Sequence, residues 1–284
     1  MLQEFLTALK PKTDYSRRIK LRHEKFWREP NAEDVRNTLM QATDPVEKWK
    51  DVINWQRKLS NKYNSREFAK MHGCKVANLY WKGRDIDNID FAGLPDNYVI
   101  RPTVGHSCNA VFLMKKNFNL FDKQHYTVDE IKYVLFGYLQ LNSKLEFLVE
   151  EFLENENGDV EILNDYKFFA FNGNIAGLLL INRLSPKAGY QTAYTEDWQQ
   201  TPPLVDSYPQ GNYQKPPACL AEMVNDVKKL SRAYEIFVRV DYYATSKGAV
   251  FGEFSPTPSF GNCSTPYATK LFKAYWNEYC DGLI

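Results

Sequence analysis

The sequence predicts an α+β fold built mainly on antiparallel sheets, and three observations carry that prediction. The first 60 or so residues read as helical. A strand-rich texture then begins near Val76, and two hairpin patterns follow, around Asn172-Gly173 and Ser246-Lys247-Gly248. Helices and strands mix without the strict βαβ alternation that marks a parallel sheet.

Asp44-Pro45 supplies an N-cap and a first-turn proline, and Val46, Trp49, Val52, Ile53 and Leu59 follow at near-helical spacing. A short helix from Ser65, carrying Phe68 and Met71, is expected to stop at Gly73, where a left-handed residue costs little. Val76–Trp81, Tyr98–Pro102 and Ala110–Lys115 read as strands, with a Gly-containing turn between the last two. Thr127-Val128-Asp129-Glu130 is a capping box opening a helix to about Leu139. Phe147–Leu153 reads as a buried strand. Tyr166–Phe171 and Ile175–Ile181 flank Asn172-Gly173, the strongest short-range hairpin signal. Residues 201–217, rich in Pro, Gln and Tyr, read as a long surface loop. A helix over Leu220–Ala233 leads to a second hairpin, Phe237–Tyr243 with Ala249–Ser255. Thr265-Pro266 then starts a last helix ending near Cys280.

Composition narrows the function classes. The 284 residues carry 36 Lys+Arg against 35 Asp+Glu, a net charge of +1, so no broad field attracts nucleic acid. No apolar run approaches the roughly 20 residues of a membrane span. The N-terminal residues lack a cationic stretch followed by an apolar one, which reads as no secretory signal. Five scattered cysteines, Cys74, Cys108, Cys219, Cys263 and Cys280, form no CxxC and point to a reducing, cytoplasmic setting. Aromatics reach 15%, which suits both wide sheet cores and saccharide platforms, so Tyr190, Tyr194, Trp198, Tyr208 and Tyr213 read as a sugar or peptide site or, at least as well, as core packing or a loose loop.

The second hairpin holds the densest chemistry. A three-residue turn, Ser246-Lys247-Gly248, would set Thr245 opposite Ala249, Asp241 opposite Glu253, and Arg239 opposite Ser255. Val238, Val240 and Tyr242 then share the apolar face with Val250 and Phe254. A two-residue turn would oppose Asp241 to Gly252 and push Glu253 among apolar residues, so the segregation of polar from apolar favours the first register. Facing carboxylates about 4.5–5.5 Å apart at Cβ repel and need a cation, a shared proton or open water. Hard oxygen ligands favour Mg²⁺, with Ser255 as a third ligand; a solvated polar face is the plainer reading. Upstream, Arg101 precedes a small-residue turn suited to phosphate oxygens, and Lys167 and Arg183 sit near the ends of the first hairpin.

At this point the residues resemble a known family. Asn61-Lys62-Tyr63 with Arg66-Glu67-Phe68, Leu94-Pro95 with Tyr98-Val99-Ile100-Arg101, Glu150-Glu151-Phe152-Leu153, Asp165-Tyr-Lys-Phe-Phe-Ala-Phe-Asn-Gly173, and Arg239-Val-Asp241 with Phe251-Gly-Glu253-Phe-Ser255 occur in order over residues 45–262. The pattern is similar to the ATP-grasp family, closest to its TupA-like branch, associated with polysaccharide and teichuronopeptide synthesis. The resemblance implies ATP held between two α+β subdomains, 61–145 and 146–284, behind a helical region at 1–60. It implies that Lys62 and Arg101 hold phosphates, covered by the turn at Gly105, Ser107 and Asn109. Glu150, Glu151, Phe152 and Leu153 would form the adenine hinge, and Asp165 would reach the ribose or an amine. Lys167, Arg183 and Arg239 would surround the γ-phosphate and acceptor, and Asp241, Glu253 and Ser255 would bind Mg²⁺. The chain departs from the family at Arg101, where Lys is usual, at His106-Ser107, where Ser and Gly are expected, and at Ser255, where many members have Asn.

The activity so implied is joining a carboxylic acid, free or glycan-linked, to an amine through an acyl phosphate. The alternatives are a small-molecule kinase on the same fold, a glycoside hydrolase using the facing carboxylates, and a non-catalytic saccharide- or nucleotide-binding module.

Overall fold

The computed structural model describes residues 14–105 and 109–283. Its early chain is helical but broken: α1 spans Asp14–Trp27, α2 Ala32–Asn37, and α3 only Val46–Trp49. The long helix expected from Asp44 to Leu59 is absent. Asn54 adopts a left-handed conformation (φ 57°), and a 3₁₀ turn over Trp55–Ser60 replaces the second half. Pro45, not Asp44, occupies the cap; the Asp44 carboxylate instead accepts from the Gln41 amide and Lys48. Helix α4, Lys62–Met71, starts three residues before the expected Ser65 because the Asn61 side chain caps it.

Six strands then form one sheet. They are β1 (Leu79–Gly83), β2 (Asn97–Pro102), β3 (Phe112–Lys115), β4 (Phe118–Asn119), β5 (Gln124–His125) and β6 (Phe147–Glu151), in the order β1-β6-β2-β3-β4-β5. β1 lies later than expected, with Val76 making only an isolated bridge to Phe251. Helix α5, Val128–Leu141, carries the full capping box and lays Ile131 and Leu135 against Tyr98, Ile100, Phe147 and Val149. Along β2 burial alternates, so Tyr98, Ile100 and Pro102 face α5 while Val99 and Arg101 face the other way.

The second sheet has five strands in the order β11-β10-β7-β8-β9: β7 (Asp165–Phe171), β8 (Asn174–Arg183), β9 (Gly189–Tyr194), β10 (Phe237–Thr245) and β11 (Gly248–Ser255). Every strand pairing in both sheets is antiparallel. β9 escaped the sequence reading. Asn172 (φ 46°) and Gly173 (φ 91°) make the tight turn between β7 and β8, both at positive φ as the hairpin requires. Helix α6 (Leu220–Tyr234) covers one face, and α7 (Pro266–Tyr279), capped by Thr265, packs Phe272 on Phe169 with ring centroids 4.7 Å apart. α1 closes this end: Tyr15 meets Phe237, Phe272 and Trp276. Large apolar side chains buried in this way contribute about 1.5–3 kcal/mol each.

The β10–β11 hairpin reaches the expected register by another route. Thr245 pairs with Gly248, so Ser246 and Lys247 alone make the turn, and a bulge at Gly252 shifts the pairing by one. Asp241 therefore faces Glu253, and Arg239 faces Ser255. A Cβ at Gly252 would lie 3.0 Å from the Asp241 carbonyl oxygen, so the bulge requires glycine's small size. Val250, expected on the apolar face, pairs with Tyr243; Phe251 takes its place opposite Tyr242 in the core. Tyr194 and Trp198 are buried and stacked at 4.2 Å, a core pair and not a sugar platform, whereas Tyr190 and Tyr213 are exposed. Among the described residues no helix is long and apolar enough to cross a membrane.

Candidate functional site

Strand alternation places chemistry on one face of the five-stranded sheet. Arg239, Asp241 and Tyr243 project from β10, Asp165, Lys167 and Phe169 from β7, Leu179, Ile181 and Arg183 from β8, and Glu253 and Ser255 from β11. This face and the Val99/Arg101 side of the six-stranded sheet border a cleft of about 1030 Å³. Lys62, at the first turn of α4, enters from the rim and contacts the Gly105 carbonyl at 3.2 Å and Glu253 at 3.4 Å.

Among the basic residues lining the cleft, Lys62, Arg101, Lys167, Arg183 and Arg239 lie beside the carboxylates Glu150, Asp165, Asp241 and Glu253; Arg36, Lys187, Glu151 and Glu161 also border it. The cations are therefore not bare phosphate grips. Arg239 forks onto Asp241 (2.7 and 2.8 Å) and donates to the Ser255 hydroxyl at 2.8 Å. Lys167 donates to the second Asp241 oxygen at 2.5 Å and lies 3.4 Å from Asp165. Arg183 clasps Asp165 at 2.5 and 2.7 Å, and Arg101 reaches Glu150 at 2.5 Å.

This pairing sets the electrostatics. Burial alone would raise the Asp241 carboxyl, but Arg239 and then Lys167 overcome it and hold the group below its usual range. Burial likewise works against the charges of Arg101 and Arg239, yet Glu150 and Asp241 respectively keep both guanidinium groups above their ordinary range. Asp241 is thus a fixed anion with both oxygens on cations. It is neither the free nucleophile nor the protonated acid that a glycosidase pair needs.

The fit to Mg²⁺ follows from the donor set. Asp241 and Glu253 stand side by side with the Ser255 hydroxyl, all hard oxygen donors. Asp241 gives three of its roughly four lone-pair positions to Arg239 and Lys167, leaving one on Oδ1. Glu253, with 31% of its side chain exposed, is the more available carboxylate. No three His, Cys, Asp or Glu side chains converge into a cation cage among the described residues. The residues fit a Mg²⁺ that takes its remaining ligands from phosphate and water, as that ion commonly does.

The remaining expected residues fall around the same cleft. Glu150, Glu151, Phe152 and Leu153 all line it. The β2–β6 ladder ends at Glu151, so the backbone beyond leaves the sheet there. The Glu151 carboxylate meets Lys247 and the Asn78 amide. Gly105 (φ 133°) and exposed Asn109 border the opening, and Ser107, with His106 and Cys108, lies outside the described residues.

Sequence reasoning gave no role to three contributors. Tyr243 lines the cleft, and burial above all pushes its phenol up; its two-residue spacing from Asp241 and Arg239 was the available signal. Arg66 stands behind Glu150 at 3.5 Å, within a run quoted only for its resemblance. Helix α1 adds His23, Phe26 and Trp27 to the wall, with His23 edge-on to Phe260 at 4.8 Å, and no local pattern announces that contact.

The comparisons with known proteins agree on the fold. A family model described as TupA-like ATPgrasp matches residues 46–271. The structure is similar to D-alanine–D-alanine ligase of Bacillus anthracis complexed with ATP, at TM-score 0.50 and 14% identity, covering 78% of this chain and 65% of that one. It is also similar to N5-carboxyaminoimidazole synthetase of Staphylococcus aureus complexed with ADP, at TM-score 0.51 and 13% identity, covering 85% and 59%. The chain thus spans less than two thirds of either enzyme's length. No curated protein matches the sequence.

Proposed function

The chain belongs to the TupA-like ATP-grasp family, and from that premise we propose that it is an ATP- and Mg²⁺-dependent carboxylate–amine ligase. The observation that carries the reading is the cleft itself: five cations and the Asp241/Glu253 pair converge between two antiparallel sheets. In this reading residues 61–145 and 146–284 act as the two halves of the grip, with β6 hydrogen-bonded into the first sheet. The acid is a small molecule or a glycan-linked carboxylate, and the setting is the cytoplasm, where ATP is supplied.

Lys62 and Arg101 hold the phosphates from the six-stranded side, under the Gly105 turn with Ser107 and Asn109. Residues Glu150 to Leu153 receive the adenine, largely through backbone groups, and Asp165 reaches the ribose or the amine. Lys167, Arg183 and Arg239 draw the acceptor carboxylate and the γ-phosphate together, two anions that repel each other in water. The carboxylate oxygen attacks the γ-phosphorus and the bond to ADP breaks; the amine then attacks the acyl carbon, releasing phosphate and a proton. Asp241, Glu253 and Ser255 would hold Mg²⁺, which when bound neutralises phosphate charge. Positioning and charge do the catalysis, so no covalent nucleophile is required.

Two measurements test the reading. Mg-ATP should raise thermal stability, by about 2.7 kcal/mol at a hundredfold excess over Kd. Hydroxylamine should trap the acyl phosphate as a hydroxamate across a panel of acids. No binding by calorimetry refutes the nucleotide role, and a stable phosphomonoester as end product makes the chain a kinase.

A further inference from the structure

Behind the phosphate-facing side of the cleft runs a buried file of alternating charges: Arg101, Glu150, Arg66 and Glu67. Their side chains are 16%, 3%, 7% and 4% exposed. Arg66 gives one terminal nitrogen to Glu67 at 3.0 Å and the other to the Ala77 carbonyl at 2.7 Å. Its remaining donor, Nε, is buried and makes no hydrogen bond. It lies 3.5 Å from Glu150 Oε1, an ion-pair contact, and that oxygen is also buried without a hydrogen-bond partner. The other oxygen, Oε2, is taken by Arg101 at 2.5 Å.

Two buried, oppositely charged atoms in ion-pair range yet without a hydrogen bond call for an explanation, since such groups are ordinarily satisfied. Among the described residues Glu150 is the one carboxylate in ion-pair contact with Arg101. Arg101 holds Glu150 through Nε alone, and a phosphate that draws the guanidinium into the cleft would lengthen that contact and leave a buried carboxylate short of opposing charge. Arg66 lies where it can prevent this. We propose that Glu150 is a counter-ion handed from Arg101 to Arg66 when Arg101 engages nucleotide phosphate, which makes Arg66 a positioning residue for phosphate binding. This rests on the nucleotide reading above and adds a partner that reading does not contain.

The exchange is balanced in charge. In the structure Glu150 serves Arg101 while Glu67 serves Arg66; in the proposed exchange Arg101 is served by phosphate and Arg66 by both acids. Lysine cannot replace Arg66 fully, because one ammonium cannot present a planar fork to Glu67, Ala77 and Glu150 together.

Calorimetry of the full chain with ADP and with adenosine tests the proposal in wild type, Arg66→Met, Arg66→Lys and the double variant Arg66→Met/Glu150→Gln. Wild type should bind ADP. Arg66→Met should lose at least tenfold in ADP affinity but less than twofold in adenosine affinity, and Arg66→Lys should fall between. The double variant removes the Glu150 charge, while Glu67 keeps Lys70 and the Ala42 amide, so ADP affinity should return to within threefold of wild type; it also serves if Arg66→Met does not fold. Equal losses for ADP and adenosine, ADP affinity unchanged in Arg66→Met, or no recovery in the double variant would each overturn the hand-over. Failure of wild type to bind ADP would overturn the nucleotide reading itself, and the hand-over with it.

Discussion

Replacing Asp241 with Asn separates two accounts of the site. If the chief force there were repulsion between facing carboxylates, removing one charge would leave the fold as stable as wild type or more so. The structure argues the reverse. Asp241, with 3% of its side chain exposed, is the counter-ion of Arg239 and Lys167, whose side chains are 17% and 10% exposed. Asparagine keeps the shape but leaves Arg239 and Lys167 with only their longer contacts, to Glu253 and to Asp165. Breaking a buried pair from one side costs about 3–5 kcal/mol. Glu253, 4.0 Å from Arg239, offsets part of that, so about 3 kcal/mol is expected. At about 2–4 °C per kcal/mol, the midpoint of thermal unfolding should fall by about 6–12 °C at pH 7. Acidity gives the sign. The folded Asp241 carboxyl lies below its unfolded value of about 3.9, so its contribution is complete above that pH and is lost as pH falls through the folded value. Wild type and variant should therefore converge below about pH 4. Circular-dichroism melts from pH 7 down to pH 3 measure this. A variant as stable as wild type at pH 7, or a gap that widens in acid, refutes the reasoning.

Glu253→Gln should behave oppositely in stability, because the side chain is 31% exposed and its contacts are long: unfolding changes by less than about 0.5 kcal/mol, while Mg²⁺-dependent turnover falls about a hundredfold or more. In activity the Asp241→Asn/Glu253→Gln pair should fall little below the worse single variant, since one metal site is lost only once; multiplicative losses would count against shared ligation. Gly252→Ala places a Cβ 3.0 Å from both the Asp241 carbonyl oxygen and the Tyr243 ring, so urea unfolding should show about 1–3 kcal/mol of destabilisation. An alanine variant matching wild type would mean that the bulge does not need glycine.

How much was legible depended on the range of the interaction. The capping box at Thr127, the Asn172-Gly173 turn and the alternation of β10 are local, and each was readable from a few neighbouring residues. The Asp241–Glu253 pairing was readable too, although the turn was not: polar and apolar residues segregate correctly only if an extra residue is absorbed somewhere, and Gly252 absorbs it instead of the loop. The broken helix before Ser60 shows propensity overridden by a left-handed residue and a 3₁₀ turn. What stayed hidden was the identity of partners. Arg101 and Glu150 are 49 positions apart, and Lys167 and Asp241 are 74 apart, so each cation looked free until the sheets brought its carboxylate to it.

Helix α1 has a practical consequence for anyone trimming this chain. The family match opens at residue 46, after α1 has ended, and closes at 271, inside α7. Yet Tyr15, Ile19 and Phe26 are as deeply enclosed as any residue of the sheets, and Arg22, wholly buried, donates to the Phe237 carbonyl and to the Tyr234 hydroxyl. A fragment cut at the limits of the match would uncover Phe237 and Tyr234, would lose Trp276 altogether, and would sever the last helix partway along. The boundaries of shared ancestry and of cooperative folding therefore differ here, and an expression fragment must follow the second.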